Sequence, residues 1–138
     1  MPSAHYDYFD HEADIGIIGS GPTVEAAFVQ AARAVFAYMA NLDEVQPIQS
    51  RAIEFIEEDS ELALVEWLNA LLGEARQSNL VFSRFTLRRE QNRWSGLAYG
   101  EPWRDSLERG TEVKGATLTM LSVKSDGAEW EARCVIDV

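Results

Sequence analysis

Residues 15–39 read IGIIGSGPTVEAAFVQAARAVFAYM. This stretch decides the fold because a strand pattern is followed directly by a helical pattern. Ile15 to Ile18 are short or β-branched, which predicts a strand of about five residues that GSGP closes with a turn. After Thr23, the predicted N-cap, apolar residues recur every three or four positions, which predicts a helix. These residues are Val24, Phe28, Ala31, Val35 and Met39.

The rest of the chain adds one more helix and several strands. IQSRAIEFIEED (48–59) predicts a strand that ends in an acidic turn, and Ser60 is the predicted N-cap of a second helix over ELALVEWLNALLGEARQ. Alternating patterns predict further strands, which are YDYF (6–9), LVFSRFTLRRE (80–90), RWSGLAYGE (93–101), TEVKGATLTMLSVK (111–124) and EWEARCVIDV (129–138). The last two are joined by a predicted turn at SDGA. The sequence therefore predicts one α+β domain, residues 1–138, with six or seven strands and two main helices.

Composition and charge exclude several classes of function. The net charge of −11 repels phosphate backbones, and Arg84, Arg88 and Arg89 fit a solvated strand edge, so we expect no direct binding of nucleic acid. The single cysteine, Cys134, excludes an internal disulfide framework. The N-terminal residues lack a signal-peptide pattern, and no apolar run reaches the roughly 20 residues that span a bilayer. We therefore expect a cytoplasmic protein without a membrane anchor.

Motifs of common catalytic sites are missing. His5 and His11 do not pair with a cysteine at zinc-ligand spacing, and Cys134 lies on the apolar face of a predicted strand, which indicates a buried, inert thiol. The GSG segment lacks the spacing of a hydrolase nucleophile elbow and the Lys-Ser or Lys-Thr pair of a P-loop.

Carboxylates at both ends of the chain are the remaining candidates. Asp10 and Asp14 flank the start of the first strand, where a turn-capping and a solvent-facing role are the simplest interpretation. Asp137 stands next to the α-carboxylate of Val138. If that strand end lies near Asp14, three anionic groups converge, and such crowding is costly unless a cation neutralises it. Hard oxygen ligands suit calcium, magnesium or manganese rather than zinc.

Several segments resemble the archease family in order and spacing. They are DHEADIGIIGSGPTVEAAFVQAARAVFAYM, DSELALVEWLNALL, Gly100-Glu101, GTEVKGATL and the terminal VIDV. The resemblance implies a three-layer sheet/sheet/helix arrangement and a protein cofactor rather than an enzyme. The implied partner is the RtcB-type RNA ligase of tRNA splicing and RNA repair. The cofactor would promote guanylylation of that ligase, support multiple turnover and broaden its use of nucleotides.

The same resemblance implies a site for a divalent cation, with Ca²⁺ expected and Mg²⁺ or Mn²⁺ as alternatives. Its ligands would be Asp14, Asp137 and Val138, the last through its backbone carboxylate. The matching positions with supporting roles are Asp10, His11, Glu101 and Lys114. This sequence departs from the family at Glu12, where threonine is usual, and in KGATLT, where the family usually has a bulkier residue and a histidine and this chain has Gly115 to Thr119.

Two other classes of function remain as alternatives. A free-standing metal-dependent hydrolase could use the same carboxylates, although His11 is the one evident general base. A chaperone-like module could bind basic partners through its acidic surface. Turnover of phosphoesters by the isolated protein would favour the first, and salt-sensitive, metal-independent binding would favour the second.

Overall fold

Two antiparallel sheets enclose a layer formed by two helices. The computed structural model describes residues 3–138. Its elements in chain order are β1 (His5–His11), β2 (Asp14–Gly21), α1 (Val24–Met39), β3 (Gln49–Ile56), α2 (Ser60–Ser78), β4 (Leu80–Glu90), β5 (Arg93–Pro102), β6 (Gly115–Ala116), β7 (Ser122–Ser125) and β8 (Trp130–Asp137). The first sheet has the order β1-β2-β8-β6, with β7 also paired to β8, and the second has the order β3-β5-β4.

The packing of α1 on β2 explains why residue 19 of the opening stretch is a glycine. A Cβ on Gly19 would lie 2.2 Å from the carbonyl oxygen of Ala27 and 2.4 Å from the backbone nitrogen of Ala31, so the helix can approach only a residue without a side chain. The prediction that GSG forms a turn is therefore wrong, because β2 continues to Gly21. Thr23 is confirmed as the N-cap of α1, since its hydroxyl accepts a hydrogen bond of 3.0 Å from the N–H of Ala26.

The second helix begins and ends with local capping. Asp59, rather than the predicted Ser60, is the N-cap of α2, because its carboxylate accepts hydrogen bonds from the N–H groups of Glu61 and Leu62 at 2.8 and 3.1 Å. A carboxylate near the positive end of the helix dipole is a favourable cap. The helix ends at Ser78, and its C-cap, Asn79, adopts the left-handed conformation with φ 54°.

The core lies between the sheets and around the helices. Helix α1 contacts β2 and β8 of the first sheet and β4 of the second. Phe28 of α1 stacks on Trp94 of β5 with ring centroids 5.0 Å apart. The indole of Trp67 donates to the carbonyl of Phe28 at 3.0 Å, so this buried polar group is satisfied. The predicted α+β class with two helices and three layers is confirmed, with the helical layer in the middle and eight strands instead of six or seven.

The predicted strand over residues 111–124 is interrupted. Only Gly115–Ala116 and Ser122–Ser125 pair with β8, and residues 117–121 form a bulge between these two short strands. The hairpin at SDGA is confirmed, because the carboxylate of Asp126 accepts hydrogen bonds from the N–H groups of Ala128 and Glu129, both at 2.9 Å. Within residues 3–138, neither helix is long and apolar enough to cross a membrane.

Candidate functional site

The two ends of the chain meet at one edge of the first sheet. Strand β2 pairs with β8 in antiparallel register, and its last matched residues are Ile15 and Ile136. Continued by one residue, the same register sets Asp14 opposite Asp137. The N–H of Val138 donates to Oδ1 of Asp14 at 3.4 Å, across 124 positions of sequence. The structure therefore brings together the three residues that the resemblance singled out as ligands.

Strand register places three of the candidate side chains on one face of the sheet. His11 pairs with Asp14 across the β1–β2 hairpin, and Asp137 pairs with Gly115 of β6. Directly opposed residues of antiparallel strands point to the same face of a sheet. His11, Asp14 and Asp137 therefore form one row across the sheet, and the row ends at Gly115. Two opposed carboxylates repel each other, and a bound cation would relieve that repulsion.

Asp14 and Asp137 differ in their surroundings. Asp14 is half-buried between β1 and β8, whereas Asp137 is exposed at the end of β8. Ile136, the neighbour of Asp137 on the opposite face, is fully buried. The alternation that directs Ile136 into the core thus directs the carboxylate of Asp137 outward.

Lys114 lies beside this row through its main chain. Its N–H donates to the carbonyl oxygen of Asp137 at 2.7 Å, and its own carbonyl accepts a hydrogen bond from the guanidinium of Arg76. Lys114 is exposed, so its side chain is accessible to a partner.

Two side chains of helix α2 anchor the segment that holds Lys114. The sequence did not indicate this anchoring. Asn69 binds Ala116 twice, since its Nδ2 donates to the carbonyl at 3.2 Å and its Oδ1 accepts from the N–H at 2.8 Å. Arg76 also donates to the carbonyl of Val113 at 3.3 Å. Asn69 and Arg76 are seven positions apart, which places them on one face of α2 two turns apart. This spacing was the one available signal, and the partners lie 37 to 47 positions away.

The donor set suits a hard cation. Among residues 3–138, no three His, Cys, Asp or Glu side chains gather closely enough to hold a metal ion. The oxygens that this edge offers are the carboxylates of Asp14 and Asp137 and the main-chain carboxylate of Val138. Carboxylate, carbonyl and water oxygens are the ligands that Ca²⁺, Mg²⁺ and Mn²⁺ prefer.

Asp10 and Glu12 adjoin the row without belonging to it. Asp10 pairs with Ile15, so its side chain leaves the sheet on the face opposite that of Asp14. Glu12 lies in the turn between β1 and β2 with φ 54°, a conformation that is costly for a residue with a side chain. Both are exposed, and they add negative charge around Asp14.

Glu101 lies elsewhere, on β5 of the second sheet. Its carboxylate is buried, where Oε1 accepts from Nε of Arg104 at 2.7 Å and Oε2 accepts from the N–H of Gln46 at 2.6 Å. The hydrogen bond from Arg104, followed by that from Gln46, lowers the pKa of Glu101 below its ordinary value. These contacts tie the loop before β3 to the segment after β5, which is a structural role. They do not join Glu101 to Asp14 or Asp137.

Two further features lie away from the row. Cys134 is completely buried, as predicted, and burial raises the pKa of its thiol to about 12, so it is held in the unreactive protonated form. A cavity of about 460 Å³ opens between the C-terminal ends of α1 and α2, with Trp103, Arg109 and Val113 in its lining. Arg109 covers the ring of Trp103 at 3.9 Å, and the lining includes neither Asp14 nor Asp137.

Known proteins resemble this chain over almost its whole length. A sequence model described as the Archease protein family (MTH1598/TM1083) matches residues 6–138. A protein archease from Sulfolobus acidocaldarius is 34% identical over 96% of this chain and 98% of its own length. One from Methanosarcina mazei is 33% identical over the full length of both chains. The solution structure of Methanobacterium thermoautotrophicum protein 1598 superimposes with a TM-score of 0.87 at 29% identity, covering 96% of this chain and 98% of that one. The chain belongs to the archease family.

Proposed function

We propose that this protein is an archease-type cofactor that activates an RtcB-type RNA ligase in the cytoplasm and is not an enzyme by itself. It would promote guanylylation of the ligase and its multiple turnover in tRNA splicing and RNA repair. Membership of the family supports the proposal as a whole. The observation that carries the site is the hydrogen bond between Val138 and Asp14, which joins the two chain ends at the row of carboxylates.

The proposed site holds one divalent cation between Asp14, Asp137 and the main-chain carboxylate of Val138. We favour Ca²⁺, because its flexible shell of six to eight oxygens accommodates carboxylates and water in irregular geometry, whereas Mg²⁺ demands near-octahedral geometry. Mn²⁺ is the other alternative. When bound, the ion would neutralise the opposed carboxylates. The protein's own part is to present them on a fixed strand end beside Lys114.

His11 and Lys114 are the proposed supporting residues closest to the ion. His11 lies opposite Asp14 in the hairpin register, and Lys114 is bonded to Asp137 through the main chain. Asp10 contributes charge from the other face of the sheet. For Glu101 the contacts support a role in folding, because both carboxylate oxygens are engaged by Arg104 and Gln46.

The test is ligase guanylylation measured with GTP and Mn²⁺ at substoichiometric amounts of this protein. Wild type should accelerate the reaction, and Asp14→Asn or Asp137→Asn should remove the acceleration while the far-UV circular dichroism and melting temperature stay near wild type. Asp43→Asn is the matched control, because Asp43 is an exposed carboxylate in the loop after α1. Acceleration that survives both site substitutions contradicts the proposed site.

The same preparations separate the alternative functions. Hydrolysis of a phosphoester panel by the isolated protein, lost in Asp14→Asn, would replace the proposal with a metal-dependent hydrolase. Binding of basic partners that weakens with salt and ignores divalent ions would replace it with an acidic interaction module.

A further inference from the structure

Between β6 and β7 the chain forms a bulge, residues 117–121, which is hydrogen-bonded to β8. The five residues of the bulge span the stretch of β8 that contains only Cys134 and Val135. The backbone N–H and the hydroxyl of Thr117 donate to the carbonyl of Val135 at 3.0 and 2.7 Å, and the N–H of Val135 donates to the carbonyl of Thr119 at 3.0 Å. The bulge is therefore fixed to the sheet at both of its sides.

The bulge presents two large apolar side chains to solvent. Leu118 is 63% exposed and Met120 is 50% exposed, although Leu121 packs against the core. The N–H of Leu121 donates to the carbonyl of Leu118 at 3.4 Å, which closes a β-turn with Met120 at its third position. Met120 has φ 56° there, where glycine or asparagine is the usual residue. The fold thus keeps an exposed methionine in a conformation that a glycine would adopt without cost.

The bulge stands next to the candidate cation site. Val135, its anchor, precedes Asp137 by two residues, which is about 7 Å along a strand. Glu12, the left-handed residue of the β1–β2 turn, flanks Asp14 at the same edge of the sheet. An apolar pair beside several carboxylates, on a chain of net charge −11, is complementary to a protein surface with an apolar depression bordered by lysine and arginine.

We infer that Leu118 and Met120 form the apolar contact through which this protein docks on its partner ligase, with the cation site facing the same interface. The inference rests on the proposed function for the identity of the partner. A few well-packed residues near the centre of a protein interface carry most of its binding energy, and the burial of two large apolar side chains contributes through the area removed from water. Met120 is half-exposed in its left-handed turn, so its side chain is available to a partner, and local backbone strain of this kind is common at functional surfaces.

The experiment measures binding of the purified ligase to this protein by calorimetry, together with the melting temperature of each variant. Leu118→Ser and Met120→Gly should each weaken binding by about tenfold or more, since each removes a large apolar side chain from the contact. Met120→Gly should leave the melting temperature unchanged or raise it, because glycine relieves the left-handed strain. Loss of binding in a variant that is at least as stable as wild type separates docking from folding.

Matched controls lie at the two ends of β3, Ile48 just before the strand and Ile56 as its last residue. Ile48 and Ile56 are 68% and 62% exposed, and Ile48→Ser and Ile56→Ser should leave binding of the ligase unchanged. Ion affinity of Leu118→Ser should equal that of wild type, because no proposed ligand is altered. Binding by Leu118→Ser and Met120→Gly that matches wild type would overturn the inference and leave the proposed function intact. Wild type that binds but does not activate would overturn the proposed function alone, and wild type that does not bind overturns both.

Discussion

Replacing Gly19 with alanine should separate α1 from β2, because the backbone of the helix lies directly against this residue. The added Cβ would lie 2.2 Å from the carbonyl oxygen of Ala27, 2.4 Å from the nitrogen of Ala31 and 2.9 Å from its Cα. All three are backbone atoms, so no side-chain rotation can remove the clash. Helix and strand must move apart by about 1 Å to restore ordinary contact.

Such a displacement opens a gap along a completely buried interface. A gap of about 0.5–1 Å forfeits a quarter to a half of the dispersion energy of each contact across it. Overpacking of this kind costs about 1–3 kcal/mol when the surroundings can yield, and backbone contacts place Gly19→Ala at about 3 kcal/mol or more. For a chain of 138 residues this corresponds to a fall in the melting temperature of about 10 °C.

Gly73→Ala is the matched control, because it makes the same chemical change with the opposite expected sign. A Cβ on Gly73 meets nothing within 4 Å, and the residue lies exposed inside α2. Alanine should therefore stabilise the protein by about 1 kcal/mol through helix propensity. Urea unfolding followed by circular dichroism measures both free energies. If Gly19→Ala costs less than about 1 kcal/mol, the account of the opening stretch as a close-packed strand is incorrect.

Three further predictions concern other parts of the molecule. Arg104 lowers the pKa of Glu101, so the stability that the Glu101 carboxylate contributes is present above its ordinary pKa of 4.5 and is lost as the pH falls through the lower pKa of the folded state. The unfolding free energies of Glu101→Gln and wild type, measured in urea, should therefore converge in acid. A difference between them that does not change with pH would contradict the ion pair. Cys134 should resist a thiol reagent at about pH 8 until denaturant is added, and rapid labelling of the folded protein would disprove its burial. Asn69→Ala should lower the free energy of unfolding by about 1–2 kcal/mol, because it removes both hydrogen bonds to Ala116. It should also weaken ion binding about tenfold in calorimetry. An unchanged ion affinity would show that α2 does not support the site.

The sequence predicted the elements whose determinants are local. The apolar spacing from Val24 to Met39 and the hydroxyl of Thr23 define α1 without reference to other parts of the chain. The end of β2 was predicted wrongly because glycines commonly mark turns, whereas Gly19 serves the approach of a helix that only the tertiary structure reveals. The bulge at residues 117–121 was invisible for a similar reason, since the alternation of TLTML continues through it.

The candidate site likewise combines features that are local in sequence with features that only the tertiary structure reveals. Asp14 and Asp137 were found because they are charged residues beside apolar strands and match a family pattern. Their meeting depends on the antiparallel register of β2 and β8, which no local pattern contains. Asn69 and Arg76 could not be recognised because their hydrogen bonds go to main-chain groups of a distant segment, and main-chain partners leave no trace in side-chain composition.

Titration of Ca²⁺ into the protein by calorimetry tests the central claim most directly, because the claim is that both chain ends bind a shared ion. Wild type and the control Asp43→Asn should bind about one ion per chain, and Asp14→Asn, Asp137→Asn and a short Gly-Ser extension after Val138 should each weaken binding by about tenfold or more. Equal affinity in wild type, both site variants and the extended chain would contradict the claim.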